Sequence, residues 1–60
     1  MQAVEIQTQA RMMFESQGPR AIVEASRKAK TCEQAGDRAG ASDWRRIEEA
    51  LRLIRGPRES

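Results

Sequence analysis

The stretch that decides the fold is Gly36-Asp37-Arg38-Ala39-Gly40-Ala41-Ser42-Asp43-Trp44, continued by Arg46-Ile47, Ala50-Leu51 and Ile54. Glycine tolerates the left-handed backbone that closes a helix, so Gly36 is expected to end one helix. Ser42 or Asp43 is expected to cap the next by accepting bonds from its free amides. Trp44, Ile47, Leu51 and Ile54 recur at steps of three, four and three, the spacing of one helical face. The stretch reads as a turn, a cap and an amphipathic helix on which the chain folds back.

Two further breaks lie outside it. Gly18-Pro19 places a glycine just past one helix and a proline in the first turn of the next. Gly56-Pro57 stops the last helix. The chain thus divides into helices at about 2–17, 19–35 and 42–55. The first carries Ala3, Ile6, Ala10 and Met13 on one stripe, widened by Phe14. The second carries Ile22, Ala25, Ala29 and Cys32, mostly small residues that let a neighbouring helix come close. On the third, Glu48 and Arg52 form a favourably oriented pair, and Arg52 and Arg55 suit the C-terminal dipole. No stretch alternates with the period of a strand. The expected fold is all-α: a small three-helix domain over residues 1–56, with 57–60 as a short C-terminal tail.

Composition narrows the function. Sixty residues suffice for one domain whose stability margin is thin. Much of the 38% hydrophobic content is alanine, so burial against a second copy or another protein would help. Eleven Lys and Arg against nine Asp and Glu leave a net charge of +2, too mild to imply a polyanion partner by itself. One cysteine excludes an internal disulfide. No apolar run approaches the ~18 residues of a membrane span. The N-terminal Met1-Gln2-Ala3-Val4-Glu5 lacks the basic-then-apolar order of a signal peptide. The expected compartment is the cytoplasm, with no membrane association.

Chemistry is scarce. With no histidine and no tyrosine, the commonest general base and the commonest metal ligand are missing. A lone cysteine cannot build a zinc site. Gly36-x-x-x-Gly40 lacks the lysine and the preceding strand of a phosphate loop. Glu48 and Glu49 are neighbours pointing to different sides of a helix. We expect no catalytic residue, no cofactor and no metal, and hence no enzyme.

The remaining candidates each have a plainer reading beside them. Cys32 has Lys28 one turn before it, where a cation would lower a thiol pKa and suit a redox sensor. Its place on the small-residue stripe favours simple packing. Trp44, Ile47, Leu51 and Ile54 are the candidate protein interface, with Trp44 as anchor or as the cap of the core. Arg27, Lys28, Lys30, Arg45, Arg46 and Arg52 are the candidate nucleic-acid contacts, if the second and third helices align them. Interleaved Glu24, Glu33, Asp37, Glu48 and Glu49 favour a solvated face of mixed charge. A DNA-reading helix-turn-helix is disfavoured, because a Gly36–Asp43 connection is too long and the last helix lacks a polar row. A tetratricopeptide turn is excluded by Glu48, which stands where that repeat needs a small residue.

Ala10-x-Met12, Gly18, Ala21, Ala25 and Ala29, followed by Gly36-Asp37-x-x-Gly40-x-x-x-Trp44-x-Arg46-Ile47-x-x-Ala50-Leu51, resemble a group of small uncharacterised helical proteins of alphaproteobacteria. The resemblance covers about residues 10 to 54, and the Gly-Asp to Trp-x-Arg-Ile block is its most specific part. It implies a bacterial, cytoplasmic protein with a compact helical fold, and no activity. The chain departs from the group at Gln17, where a His is usual, and at Pro19. The functional expectation is a non-enzymatic protein-interaction module or small regulatory or accessory protein, a homodimer being one way for a second copy to supply the missing burial. The alternative is a basic helical protein weakly associated with nucleic acid.

Overall fold

A computed structural model of the chain describes residues 2–55. Three helices account for nearly all of them: α1 (Ala3–Gln17), α2 (Arg20–Gln34) and α3 (Arg38–Arg55). No strand occurs among the described residues, and the architecture is the expected small all-α domain. The Gly56-Pro57 stop and the 57–60 tail lie outside the described residues.

At the start of α1 the Gln2 amide donates to the Glu5 carboxylate at 3.3 Å, which suits the positive end of the helix. Its end is where the sequence put it. Gly18 takes a φ of +65° and donates its N–H to the Phe14 carbonyl at 2.7 Å. Pro19 follows at φ −60°, ready for helix, and the next turn forms by short bonds from Ala21 to Gly18 and from Ile22 to Pro19.

The second turn differs from expectation. Helix α3 begins at Arg38, four residues before the position expected from Ser42 and Asp43. Those two residues lie inside the helix. The cap is Asp37, whose Oδ1 accepts the Gly40 N–H at 3.0 Å. Gly36 does close α2, with φ +81°. Its N–H donates to the Glu33 carbonyl at 3.2 Å, and the Asp37 N–H donates to the Cys32 carbonyl at 2.8 Å, the paired bonds of a Schellman closure. Asp37 thus ends one helix with its backbone and starts the next with its side chain. The connection is only Ala35-Gly36-Asp37, so the length argument raised against a helix-turn-helix falls; the lack of a polar row on α3 still stands.

Gly40 therefore belongs to the first turn of α3 and not to the loop. A Cβ there would strike the capping Asp37 carboxylate and come within 3.1 Å of the Cys32 sulfur. A side chain at this position would have to displace the Asp37 cap and crowd the Cys32 sulfur at the end of α2, which favours glycine.

Helix α3 packs most extensively on α2, less on α1, and α1 meets α2 least. Lys28 and Glu33 of α2 meet Trp44 and Arg45 near the start of α3, while Ile22 and Ser26 share a groove with Glu48 and Arg52. That order makes α2 and α3 antiparallel. The core joins Ile6, Ala10 and Met13 of α1, Ala21 and Ala25 of α2, and Ile47 and Leu51 of α3. Phe14, Ile22, Trp44 and Ala50 pack on its edge, half-buried. Two of the stripes differ from expectation. Ala3 is exposed, and α2 buries Ala21, Ala25 and Ala29, with Ile22 rotated to the flank and Cys32 only half-buried. A row of alanines at steps of four admits a closer neighbour than one interrupted by isoleucine.

Candidate interaction surface

Among the described residues, five of the nine buried hydrophobics are alanines (Ala10, Ala21, Ala25, Ala29 and Ala41), while Val4, Met12, Val23 and Leu53 are mostly exposed and Ile54 is partly so. Of the four residues expected at a protein interface, Ile47 and Leu51 are fully enclosed in the core. They hold the fold and have no surface to offer. Trp44 is half-buried at the edge of the core, and Ile54 keeps 39% of its surface exposed.

Ile54 lies in a shallow groove between α1 and α3, lined by Gln7, Arg11, Ala50 and Leu53 as well. Leu53, at 77% exposed, is the most open large apolar residue here. It escaped the sequence reading because it falls outside the Trp44–Ile54 stripe. The signal was the adjacency of Leu53 and Ile54: two neighbours on a helix cannot both face one core.

The six basic residues are engaged in different ways. Lys28 sits 3.7 Å from Glu24 and 5.5 Å from the Trp44 ring centroid, stacking on the indole as a cation–π contact. Arg45 spans the helices, donating to Glu33 at 3.1 Å and to Glu48 at 3.3 Å. The hydrogen bond and charge of Glu33, followed by those of Glu48, push the Arg45 guanidinium still further toward its charged form. Arg46 is exposed and makes no ion pair with the described residues. Arg27, Lys30 and Arg52 do converge, on a groove between α2 and α3 that Ile22, Val23 and Ser26 also line.

Glu48, expected as an exposed partner of Arg52, is 8% exposed. Its two oxygens accept from Arg45 and, at 2.8 Å, from Arg52. A buried carboxylate held by two guanidinium groups is satisfied, and no described buried side-chain nitrogen or oxygen lacks a partner.

Cys32 stands beside the turn. Burial first, then the charge of Asp37 and a hydrogen bond to it, raise the thiol above its ordinary value, while Lys28 pulls less strongly the other way. The cation expected to activate Cys32 is thus outweighed by desolvation and a nearer carboxylate. No cluster of three or more His, Cys, Asp or Glu suited to a metal occurs among the described residues. No described helix is long and apolar enough to cross a membrane. Compared with family models, with curated proteins and with solved structures, the chain matches none, so its own geometry carries the functional argument.

Proposed function

We propose that this chain is a non-enzymatic interaction module of the cytoplasm that docks on another protein, or on a second copy of itself, through the α1–α3 face. The observation that carries the reading is the inversion of apolar size between inside and outside. Alanines fill much of the core while Leu53 and Ile54 line an open groove beside Ala50. A small domain gains stability by covering such a face. The lack of histidine and tyrosine in the whole chain supports the non-enzymatic part of the reading.

Sedimentation and melting across a wide range of protein concentration test self-association. A dimer melts at a temperature that rises with concentration, and Leu53→Ser weakens it without unfolding the monomer. A monomer with a constant melting temperature removes the second copy as partner. Capture from the host lysate with and without nuclease then separates a protein partner from nucleic acid. The nucleic-acid reading draws its remaining support from the convergence of Arg27, Lys30 and Arg52, and it expects binding that falls steeply with salt.

A further inference from the structure

We propose that the α2–α3 groove receives an acidic amphipathic helix of a partner protein, whose carboxylates meet Arg27, Lys30 and Arg52 and whose apolar side chain meets Val23. The inference deepens the interaction-module reading by naming a second contact surface and the chemistry of what covers it.

The charge balance of the groove is the argument. Its one acidic residue, Glu48, is already neutralised by Arg45 and Arg52. Arg52 nonetheless keeps 65% of its side chain exposed, so only part of its guanidinium is engaged. Arg27 and Lys30 make no ion pair with the described residues, in contrast to Lys28 one position away. The groove therefore holds more positive charge than Glu48 offsets, with Arg27 and Lys30 outside any ion pair among the described residues. A partner that desolvates it without supplying carboxylates pays a penalty, and one that supplies them is steered in.

Spacing selects a helix. Val23, Arg27 and Lys30 follow one another at steps of four and three, a row along one face of α2. Arg52 faces that row from α3. An incoming helix with two carboxylates one turn apart and an apolar residue one turn further matches the row, as helices in grooves generally do. Val23 is 60% exposed and offers apolar contact at the end of the charged row. A phosphate backbone has no use for that contact. It would also find Lys28 and Arg45 already committed to carboxylates.

The test is an amide-shift titration of the isotope-labelled chain at low salt. The probe is a short synthetic helix carrying two glutamates one turn apart and a leucine one turn beyond. Its controls are the same peptide with lysines for the glutamates, and a short DNA duplex. The expected result is movement of the Val23, Arg27, Lys30 and Arg52 amides with the acidic peptide alone. The paired change R27E with K30E is expected to weaken binding by about tenfold or more while the melting curve stays in place. The milder R27Q with K30Q should give a smaller loss in the same direction. No movement at these amides overturns the proposal. So does tighter binding of the duplex at the same residues, or movement caused by protein concentration alone, which would put a second copy in the groove. Peptide shifts confined to Ala50, Leu53 and Ile54 overturn it too, yet leave the α1–α3 reading standing. Conversely, a chain that stays monomeric and unmoved at Leu53 but binds peptide at Arg27 loses the α1–α3 face and keeps this groove.

Discussion

The two sides of α3 are built in different ways. Toward α2 it is tied by directional contacts. Asp37 serves both helices, Gly40 nearly touches Cys32, Arg45 reaches Glu33, and Lys28 covers Trp44. Toward α1 it relies on apolar burial through Ile6, Ala10 and Met13, with no ion pair joining α1 to either neighbour among the described residues. Directional contacts fix register, whereas non-directional burial fixes only proximity. Most of the exposed apolar residues follow the same division, Val23 of α2 being the exception. Val4 and Met12 lie on α1, and Leu53 and Ile54 border it. The loosely specified side of the molecule is thus also the side with more of the described apolar surface left to cover.

The largest test of this comparison is at the shared core. Leu51 is fully buried and packs where all three helices meet, so Leu51→Ala should cost about 2–5 kcal/mol and unfold much of the chain, read by urea titration of the helical signal. Hydrogen exchange of the unaltered chain then asks which side opens first. Amides of α1 are expected to exchange through a local opening while those of α2 and α3 exchange only with global unfolding. Equal protection in all three helices would break the comparison.

Smaller effects are expected at the turn. Gly36→Ala forces a side chain into a φ of +81° and should cost roughly 1–2 kcal/mol. Gly40→Ala pits helix propensity, which favours alanine by ~1 kcal/mol, against overpacking and loss of the Asp37 cap, which together cost more. We expect a net loss of about 1 kcal/mol from those opposing terms. Stabilisation by Gly40→Ala would mean that the Asp37 cap and the Cys32 contact are slack, and that the α2–α3 side is no better specified than the other.

The helices and most of the core could be read from the chain because period and punctuation are local properties. Gly18-Pro19 and Gly36 mark their helix ends through backbone freedom alone, and Ile47 and Leu51 reach the core by spacing alone. The start of α3 was hidden. Gly40 reads as a turn residue when the only physics in view is its own conformational freedom. The contacts that oppose a side chain there come from the capping Asp37 carboxylate and, across the helices, from the Cys32 sulfur. The α2 stripe was misphased for a similar reason: Ile22 outweighs Ala21 in hydrophobicity, but only the smaller residue fits where the helices approach. The candidate surfaces were the least legible. Which of the six basic residues stay unpaired depends on which carboxylates they find, and one of those pairings crosses between helices at Arg45–Glu33.

The smallest expected effect concerns Cys32, at the junction where α2 and α3 come closest. Burial and the Asp37 carboxylate make the folded chain hold the thiol proton more tightly than the unfolded chain does. As pH rises through the ordinary thiol value of 9.0, the unfolded state loses its proton first. The unfolded state then binds fewer protons than the native one, so the stability contributed by this group is present in full below that pH and is lost above it. Replacing Cys32 by Ala should flatten the alkaline decline in stability relative to the unaltered chain, whatever the constant offset from lost packing. At a fixed pH near neutrality, a thiolate-directed reagent should label the native chain more slowly than the chain in denaturant. Labelling as fast in the native state would show a thiol released from Asp37, restoring the redox reading and removing one of the contacts that distinguish the α2 side of α3 from the α1 side.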